Sequence, residues 1–113
     1  MAEWSDQIEV VDLADEPDLS DDLLNTYNKL AAMPDSERPS LVLNLQAVTY
    51  LNSSNIAQML RLRKLMIESD RKLKVCSVAD AVWSIMLLTG LDKVFEFTPD
   101  KATAIAGLQL DEQ

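Results

Sequence analysis

The sequence predicts an α/β fold in which a small, four-stranded and mostly parallel sheet is joined by crossover helices. Short β-rich runs alternate with segments of helical period, in the order βαβαβαβα. The connections are only a few residues long, and strands separated by a helix usually pair in parallel. With 113 residues, of which 48% are hydrophobic, the chain can bury one ordinary core. We therefore expect residues 1–113 to form a single domain.

The first strand is predicted at Gln7–Leu13, a run rich in β-branched residues. The acidic turn Asp15–Asp18 ends this strand, because its proline cannot donate to a sheet ladder. Ser20 is the predicted N-cap of the first helix, and acidic residues follow it in the first turn, where the helix dipole favours them. Pro34 ends that helix.

The central stretch is predicted to be a buried strand, a polar turn and a second helix. Leu41–Leu45 is a short apolar run, typical of a strand that is buried on both faces. Asn52–Asn55, with the sequence NSSN, places four cap-forming residues before a helical segment that extends to about Ser69. The helix face predicted to pack inward comprises Ile56, Met59, Leu60, Arg63 and Ile67.

The second half of the chain continues the alternation. Its predicted elements are a strand at Leu73–Val78, a helix at Asp80–Thr89, a strand at Val94–Phe97 and a helix at Lys101–Leu108. Asp80 is the predicted N-cap of the third helix and Gly90 its C′ residue. Cys76 is expected to be a small buried side chain within the third strand.

The third helix carries more apolar residues than one packing face requires. A core face would comprise Ala81, Val82, Ile85 and Met86. Trp83 and Leu87, four residues apart, form a second apolar stripe. This stripe is either covered within the fold or exposed as a contact patch for a partner or a second copy of the chain.

The net charge of −9 lies at the front of the chain, since residues 1–38 hold eleven acidic and two basic residues. Such an excess of acid argues against nucleic acid as a partner, because phosphates would be repelled. It leaves two interpretations open, a solvated acidic face or a surface that steers a basic protein partner.

Several kinds of chemistry find no support. The chain has no histidine, one cysteine and two glycines, so a Cys/His metal site and a glycine-rich phosphate loop are excluded. We expect no enzymatic activity and no cofactor. Neither a signal peptide after Met1 nor an apolar run of membrane-spanning length is visible, and we expect a soluble cytoplasmic protein.

The NSSN turn is the strongest candidate site in the sequence. A serine there lies where the first backbone N–H groups of a helix are unpaired and the dipole is positive. A negative charge, such as a phosphate on the serine or on a ligand, would be stabilised at this position. The alternative is that Asn52 or Ser53 caps the helix and does nothing more.

The stretch LVLNLQAVTYLNSSNIAQMLRLRKLM resembles the STAS domain of the bacterial anti-sigma-factor antagonist family. The family pattern there is an apolar strand, the motif V-x-[YF]-[LIM]-D-S-S/T-G and an amphipathic helix. The run LKVCSVADAVWSIMLLTGLDKVF is similar to the next strand and helix of the family, and DEPDLSDD to the turn before its first helix. The resemblance extends from Ile8 to Ala106.

The resemblance implies a protein-binding regulator of transcription. In the family, a partner that is both anti-sigma factor and serine kinase phosphorylates the serine that matches Ser53. Asp18 matches an acidic residue on the same surface. Two positions differ, since the family aspartate is Asn52 and the family glycine is Asn55. The predicted partner-binding residues are Asp18, Asn52, Ser53, Ser54, Asn55, Gln58, Trp83 and Leu87.

A second branch of the family gives the alternative function, a STAS subunit of a lipid-transport ABC complex. Such a subunit docks on the ATPase in the cytoplasm without phosphorylation. Asn52 in place of the aspartate and the Trp83/Leu87 stripe are compatible with constitutive docking of this kind.

Overall fold

Within residues 8–111, four parallel strands form one sheet, in which they lie side by side in chain order. The computed structural model describes the backbone of residues 8–111 and the side chains of residues 8–110. The strands are β1 (Ile8–Ala14), β2 (Ser40–Ala47), β3 (Leu73–Cys76) and β4 (Glu96–Thr98). The helices are α1 (Asp18–Ala31), α2 (Ser53–Glu68), α3 (Asp80–Thr89) and α4 (Lys101–Asp111). The predicted fold class and order of elements are confirmed, although Gln7 of the predicted first strand lies outside the described residues.

The two faces of the sheet carry separate cores, because side chains alternate along each strand. In β2, Leu41, Leu43 and Leu45 join the larger core under α1, α2 and α3. Val42 points to the opposite face, where it packs with Cys76 and with residues of α4. Being covered on both faces, the central strand reads as a continuous apolar run, as the sequence predicts.

The carboxyl ends of the parallel strands all lie at the same end of the sheet. Asp12 of β1, Asn44 of β2 and Cys76 of β3 are register partners there. Because α1, α2 and α3 each follow a strand, their N-termini lie at this same end of the sheet. The turns before α1 and α2, which the sequence indicates as candidate sites, are therefore neighbours in space.

Two predicted N-caps are wrong. α1 begins at Asp18, so Ser20 lies within its first turn, and the carboxylate of Glu16 accepts hydrogen bonds from both the backbone N–H and the hydroxyl of Ser20. α3 begins at Asp80 itself, and the residue before it, Ala79, has no side chain that can cap. Gly90 ends α3 with φ 77°, a left-handed conformation, as its position predicts.

The packing face of α2 differs from the predicted one. Met59 is buried as predicted, but Leu60 and Ile67 are exposed. The residues that α2 buries are Asn55, Met59, Leu62, Leu65 and Met66. The apolar residues of α2 cover more than one side of the helix, so periodicity alone did not identify the side that meets the sheet.

Arg38 is buried in the segment between α1 and β2, which the sequence indicates only as a polar loop. Its guanidinium donates to the carbonyl of Leu30 at 2.7 Å and to that of Ala31 at 3.2 Å, both at the end of α1. It also donates to Asp35 and to Ser69, at 2.7 Å each. Arg38 therefore joins the C-terminal ends of α1 and α2.

Candidate functional site

The NSSN turn is organised by a reciprocal capping box between its two asparagines. The Asn55 backbone N–H donates to Oδ1 of Asn52 at 2.8 Å, and the Asn52 N–H donates to Oδ1 of Asn55 at 3.0 Å. Each side chain thus satisfies a backbone donor that the start of α2 would otherwise leave unpaired. Asn52, not Ser53, is the N-cap of this helix.

Ser53 and Ser54 are the first two residues of α2, and both side chains are exposed. Within residues 8–110 neither hydroxyl takes part in a side-chain hydrogen bond that meets normal geometry. Since Asn52 and Asn55 already cap the helix, the fold does not require the Ser53 hydroxyl as a cap. A charge placed on that hydroxyl would lie at the positive end of the α2 dipole.

The Asp15–Asp18 turn is fastened to the NSSN turn by two carboxylates. Asp15 accepts from the Thr49 N–H at 2.8 Å and from its hydroxyl at 2.7 Å. Glu16 accepts from the side-chain amide of Asn55 at 2.9 Å. We call the exposed surface formed by residues 15–18 and 49–54 the two-turn surface.

The hydrogen bonds of these carboxylates favour their ionised form. Bonds from the Ser20 hydroxyl and the Asn55 amide lower the pKa of Glu16 below its ordinary value of 4.5. Bonds from the hydroxyl and backbone of Thr49 likewise lower the pKa of Asp15. Both groups therefore remain negatively charged at neutral pH, and the surface around Ser53 is acidic.

The predicted partner-binding residues of this region do not all have the same position. Asp18, Ser53 and Ser54 are exposed, and Asn52 and Gln58 are partly exposed. Asn55 is only 1% exposed, so it would serve a contact surface by holding the two turns together rather than by touching a partner.

Gln58 connects α2 to α1 beneath the two-turn surface. Its side-chain amide donates to the Ser20 carbonyl at 3.1 Å, while its Oε1 is buried and has no hydrogen-bond partner among the described residues. A buried amide oxygen in this state is costly unless a further donor reaches it. Only the side-chain N–H of Gln58, and not its carbonyl oxygen, therefore contributes a hydrogen bond between α2 and α1.

The sequence places the turn from Asp15 to Ser20 on the predicted binding surface, but it does not indicate the bonds of Asp15 and Glu16 to the NSSN turn. Thr49 and the exposed aromatic ring of Tyr50 were not predicted as part of the site. Glu16 lies four residues before Ser20, but the pairing of Asp15 with Thr49 spans 34 positions. No local pattern indicates that second pairing. Tyr50 was visible as an aromatic residue before the cap, next to the buried Leu51.

Trp83 and Leu87 lie on α3, and the structure leaves them 36% and 53% exposed. One side of the Trp83 indole is covered, because its ring meets that of Phe97 edge-on, with centroids 5.0 Å apart. The core side of α3 is narrower than predicted, since Val82 and Met86 are buried, Ile85 is half-buried and Ala81 is exposed.

Most residues of the two-turn surface are exposed to solvent. No group of three or more His, Cys, Asp or Glu side chains in the described part of the chain is arranged to hold a metal ion. An open cleft of about 170 Å³ lies at the other end of the strands, lined in part by Arg63, Ile67, Lys72 and Phe95. The polar groups that the two-turn surface presents include the hydroxyls of Ser53 and Ser54 and the carboxylates of residues 15–18.

The family model of the STAS domain matches residues 8–104, a range that contains the four strands, the NSSN turn and the first three helices. The chain belongs to the STAS domain family. Within the described residues, this STAS domain has no helix that is both long enough and apolar enough to span a membrane.

Solved structures of other STAS proteins have the same fold. An anti-sigma-factor antagonist (STAS) domain protein from Planctomyces limnophilus is 17% identical, with a TM-score of 0.77 over 91% of this chain and 92% of that one. The SulP transporter STAS domain from Vibrio cholerae is 15% identical, with a TM-score of 0.78 over 95% and 86% of the two chains. A putative anti-sigma-factor antagonist from Thermotoga maritima is 14% identical, with a TM-score of 0.70 over 92% and 89%.

At these identities the likeness shows the fold. The neighbours include both anti-sigma-factor antagonists and the STAS domain of a transporter, at almost equal TM-scores. The fold alone does not distinguish these two classes of function, which must differ in particular surface residues.

Proposed function

We propose that this STAS domain is a non-enzymatic regulatory module that binds a protein partner through the two-turn surface and is switched by phosphorylation of Ser53. The partner is an anti-sigma factor with serine kinase activity, which places the protein in the bacterial cytoplasm as a regulator of transcription. The observation that carries this proposal is the exposed Ser53 at the start of α2, on a turn whose capping is done by Asn52 and Asn55.

The electrostatics of the turn support a switch that acts on binding. A phosphate on Ser53 would add about −1.5 to −2 charges at neutral pH. The α2 N-terminus stabilises that charge by roughly 0.3–1 kcal/mol, so the fold tolerates it. The ionised carboxylates of Asp15 and Glu16 lie on the same surface, and the added phosphate would make that surface still more negative. A partner fitted to the unmodified surface would lose affinity.

The experiment compares partner recovery by tagged wild type, Ser53→Ala and Ser53→Asp from lysate of the native cell. We expect wild type and Ser53→Ala to recover the same protein. Ser53→Asp should recover at most a tenth as much, which corresponds to a loss of about 1.4 kcal/mol in binding free energy. Ser36→Asp is the matched control and should recover as much partner as wild type, because Ser36 is exposed between α1 and β2, at the opposite end of the strands from the two-turn surface. Equal recovery by wild type and Ser53→Asp would reject the switch.

Mass spectrometry of the protein purified from its native cell tests the modification directly. The proposal requires a phosphopeptide that contains Ser53, in a fraction that changes when the recovered kinase is deleted. Phosphate found on Ser54 alone would contradict the assignment of Ser53.

The alternative is a STAS subunit that docks on the ATPase of a lipid-transport ABC complex without phosphorylation. It is supported by the acidic residues around Ser53. Residues 15–20 and 49–58, which are hydrogen-bonded to one another, include no basic side chain that could pair with a phosphate. In that case the recovered partner is an ATPase subunit, and recovery by Ser53→Ala equals that by wild type in cells that contain no phosphorylated form.

A further inference from the structure

After its first residue, Asp80, the outward side of α3 is mostly apolar and carries no charged side chain. Leu88 is 87% exposed and Leu87 is 53% exposed, and Leu87 lies one turn after the partly covered Trp83. From Ala81 to Leu91 the sequence contains no Asp, Glu, Lys or Arg, in a chain in which 26% of residues are charged. A helix that is apolar all round is normally covered on all sides.

The two hydroxyl side chains exposed on α3 do not make this face polar. The Ser84 hydroxyl donates to the Asp80 carbonyl at 3.2 Å, and the Thr89 hydroxyl donates to the Ile85 carbonyl at 2.7 Å. Both donors are thus used within the helix itself. A partner packing on this face would therefore not have to supply acceptors for these two hydroxyl protons.

Charges flank the apolar face at its two ends, and they are of opposite sign. Asp80 is exposed at the first residue of α3, and Lys93 is exposed four residues after the last one, Thr89. Asp92, beside Lys93, is half-buried in the short 3₁₀ turn that follows α3, Leu91–Lys93. When two such helices pack antiparallel about a two-fold axis, Asp80 of each copy lies beside Lys93 of the other, and the helix dipoles oppose.

The distribution of net charge also permits self-association through this helix. The acidic residues are concentrated in residues 1–38, which include β1 and α1. β1 lies at one edge of the sheet, and α3 precedes β4, which lies at the other edge. Two copies that meet through α3 therefore keep their acidic sides apart, which limits like-charge repulsion.

From these observations we infer that α3 is the contact of a two-fold symmetric homodimer, in which the Trp83, Leu87 and Leu88 side chains of two copies pack across antiparallel helices. α3 has ten residues, so the helical contact is only about 15 Å long. It is smaller than a standard interface of about 1,600 Å², and the dimer is accordingly weak and reversible.

The test is sedimentation equilibrium of the full chain from about 5 µM to about 500 µM, a range that brackets weak association. The expected apparent mass rises from the 12.6 kDa of one chain toward twice that value. Leu88→Glu places one carboxylate per copy in the contact and is expected to weaken dimerisation by about tenfold or more. Leu110→Glu is the matched control, since Leu110 is 71% exposed on α4, across the sheet.

A charge exchange tests the antiparallel arrangement. Asp80→Lys and Lys93→Glu each place like charges together and should weaken the dimer, while the double variant should recover it. A chain with Trp4→Phe retains Trp83 as its only tryptophan, and its emission should shift to shorter wavelength as concentration rises.

The dimer would be ruled out if the wild type stayed monomeric throughout the concentration range. A folded Leu88→Glu variant that associates as strongly as wild type would also rule it out. So would a loss of association in Leu110→Glu as large as that in Leu88→Glu. A double charge variant no better than the single ones, or Trp83 emission independent of concentration, would also do so. Capture of an unrelated protein by α3 in a monomeric chain counts against it as well. Substitutions at Ser53 should not alter dimerisation, so this inference and the proposed switch can fail separately.

Discussion

The side-chain amide of Asn55 donates to the carboxylate of Glu16 at 2.9 Å and so joins the turn before α1 to the first turn of α2. The same asparagine closes the capping box with Asn52. The STAS pattern has glycine at this position, and glycine offers neither bond. The two turns of this chain are therefore connected by a side chain that the family motif does not supply.

Asn55→Gly, which restores the family residue, should lower the free energy of unfolding by about 2 kcal/mol, because it removes a cap bond and leaves buried polar groups unpaired. Urea unfolding monitored by circular dichroism measures the change. Asn25→Gly is the control, since Asn25 is exposed in the middle of α1 and should lose only helix propensity, roughly 0.5 kcal/mol. Equal losses in the two variants would contradict the structural role of Asn55.

Asn52→Ala should cost about 1 kcal/mol of stability, because Asn52 is the N-cap of α2. Ser53→Ala should change stability by less than about 0.5 kcal/mol, since its exposed hydroxyl does not cap the helix. Thermal and urea unfolding of both variants provide the measurement. If Ser53→Ala were the more damaging change, the helix would be capped by the serine and the case for a switch would weaken.

Glu16 should make stability depend on pH in the acidic range. Its pKa is lower in the folded protein than the ordinary 4.5, so its contribution is present above that value and is lost as pH falls through the folded pKa. The gap in urea midpoint between wild type and Glu16→Gln should therefore shrink from about pH 6 to about pH 3. Asn25→Gly, which replaces no ionisable group, is the control, and its gap from wild type should not depend on pH.

Replacement of Arg38 by Met should destabilise the protein by about 3 kcal/mol, because it leaves the Leu30 carbonyl and the side chains of Asp35 and Ser69 without their donor. Arg38→Lys should recover only part of this loss, since a single ammonium group cannot reach all of these acceptors. The control is Arg61→Met, because Arg61 is exposed and stacks on the Tyr27 ring at 4.2 Å, a contact worth about 0.5–1 kcal/mol. Similar losses for Arg38→Met and Arg61→Met would contradict the linking role of Arg38.

The fold class could be predicted because its signals are local. A strand buried on both faces, such as β2, is apolar at successive positions, and the glycine after α3 marks the helix end directly. The faces of α2 could not be predicted, because Leu60 and Ile67 have the same character as the buried Leu62 and Leu65. Only the position of the sheet distinguishes them.

The cap-forming residues of the sequence located the candidate site, but the sequence did not show which residues are bonded together there. The NSSN motif identifies the start of α2, whereas the bonds that hold it to the preceding turn join residues 34 to 39 positions apart. Arg38 shows the same limit, because an arginine in a polar loop is usually exposed and nothing beside it in sequence indicates three acceptors from two helices.

Cys76 is the only cysteine of the chain, and it is buried in the small core beneath α4. Burial raises the pKa of its thiol, so little reactive thiolate is present at neutral pH. Thiol reagents applied to the native protein should therefore spare it. A cysteine introduced by Ser54→Cys or Leu88→Cys would be labelled selectively, and a dye there could follow the two-turn surface or α3 without altering the wild-type core.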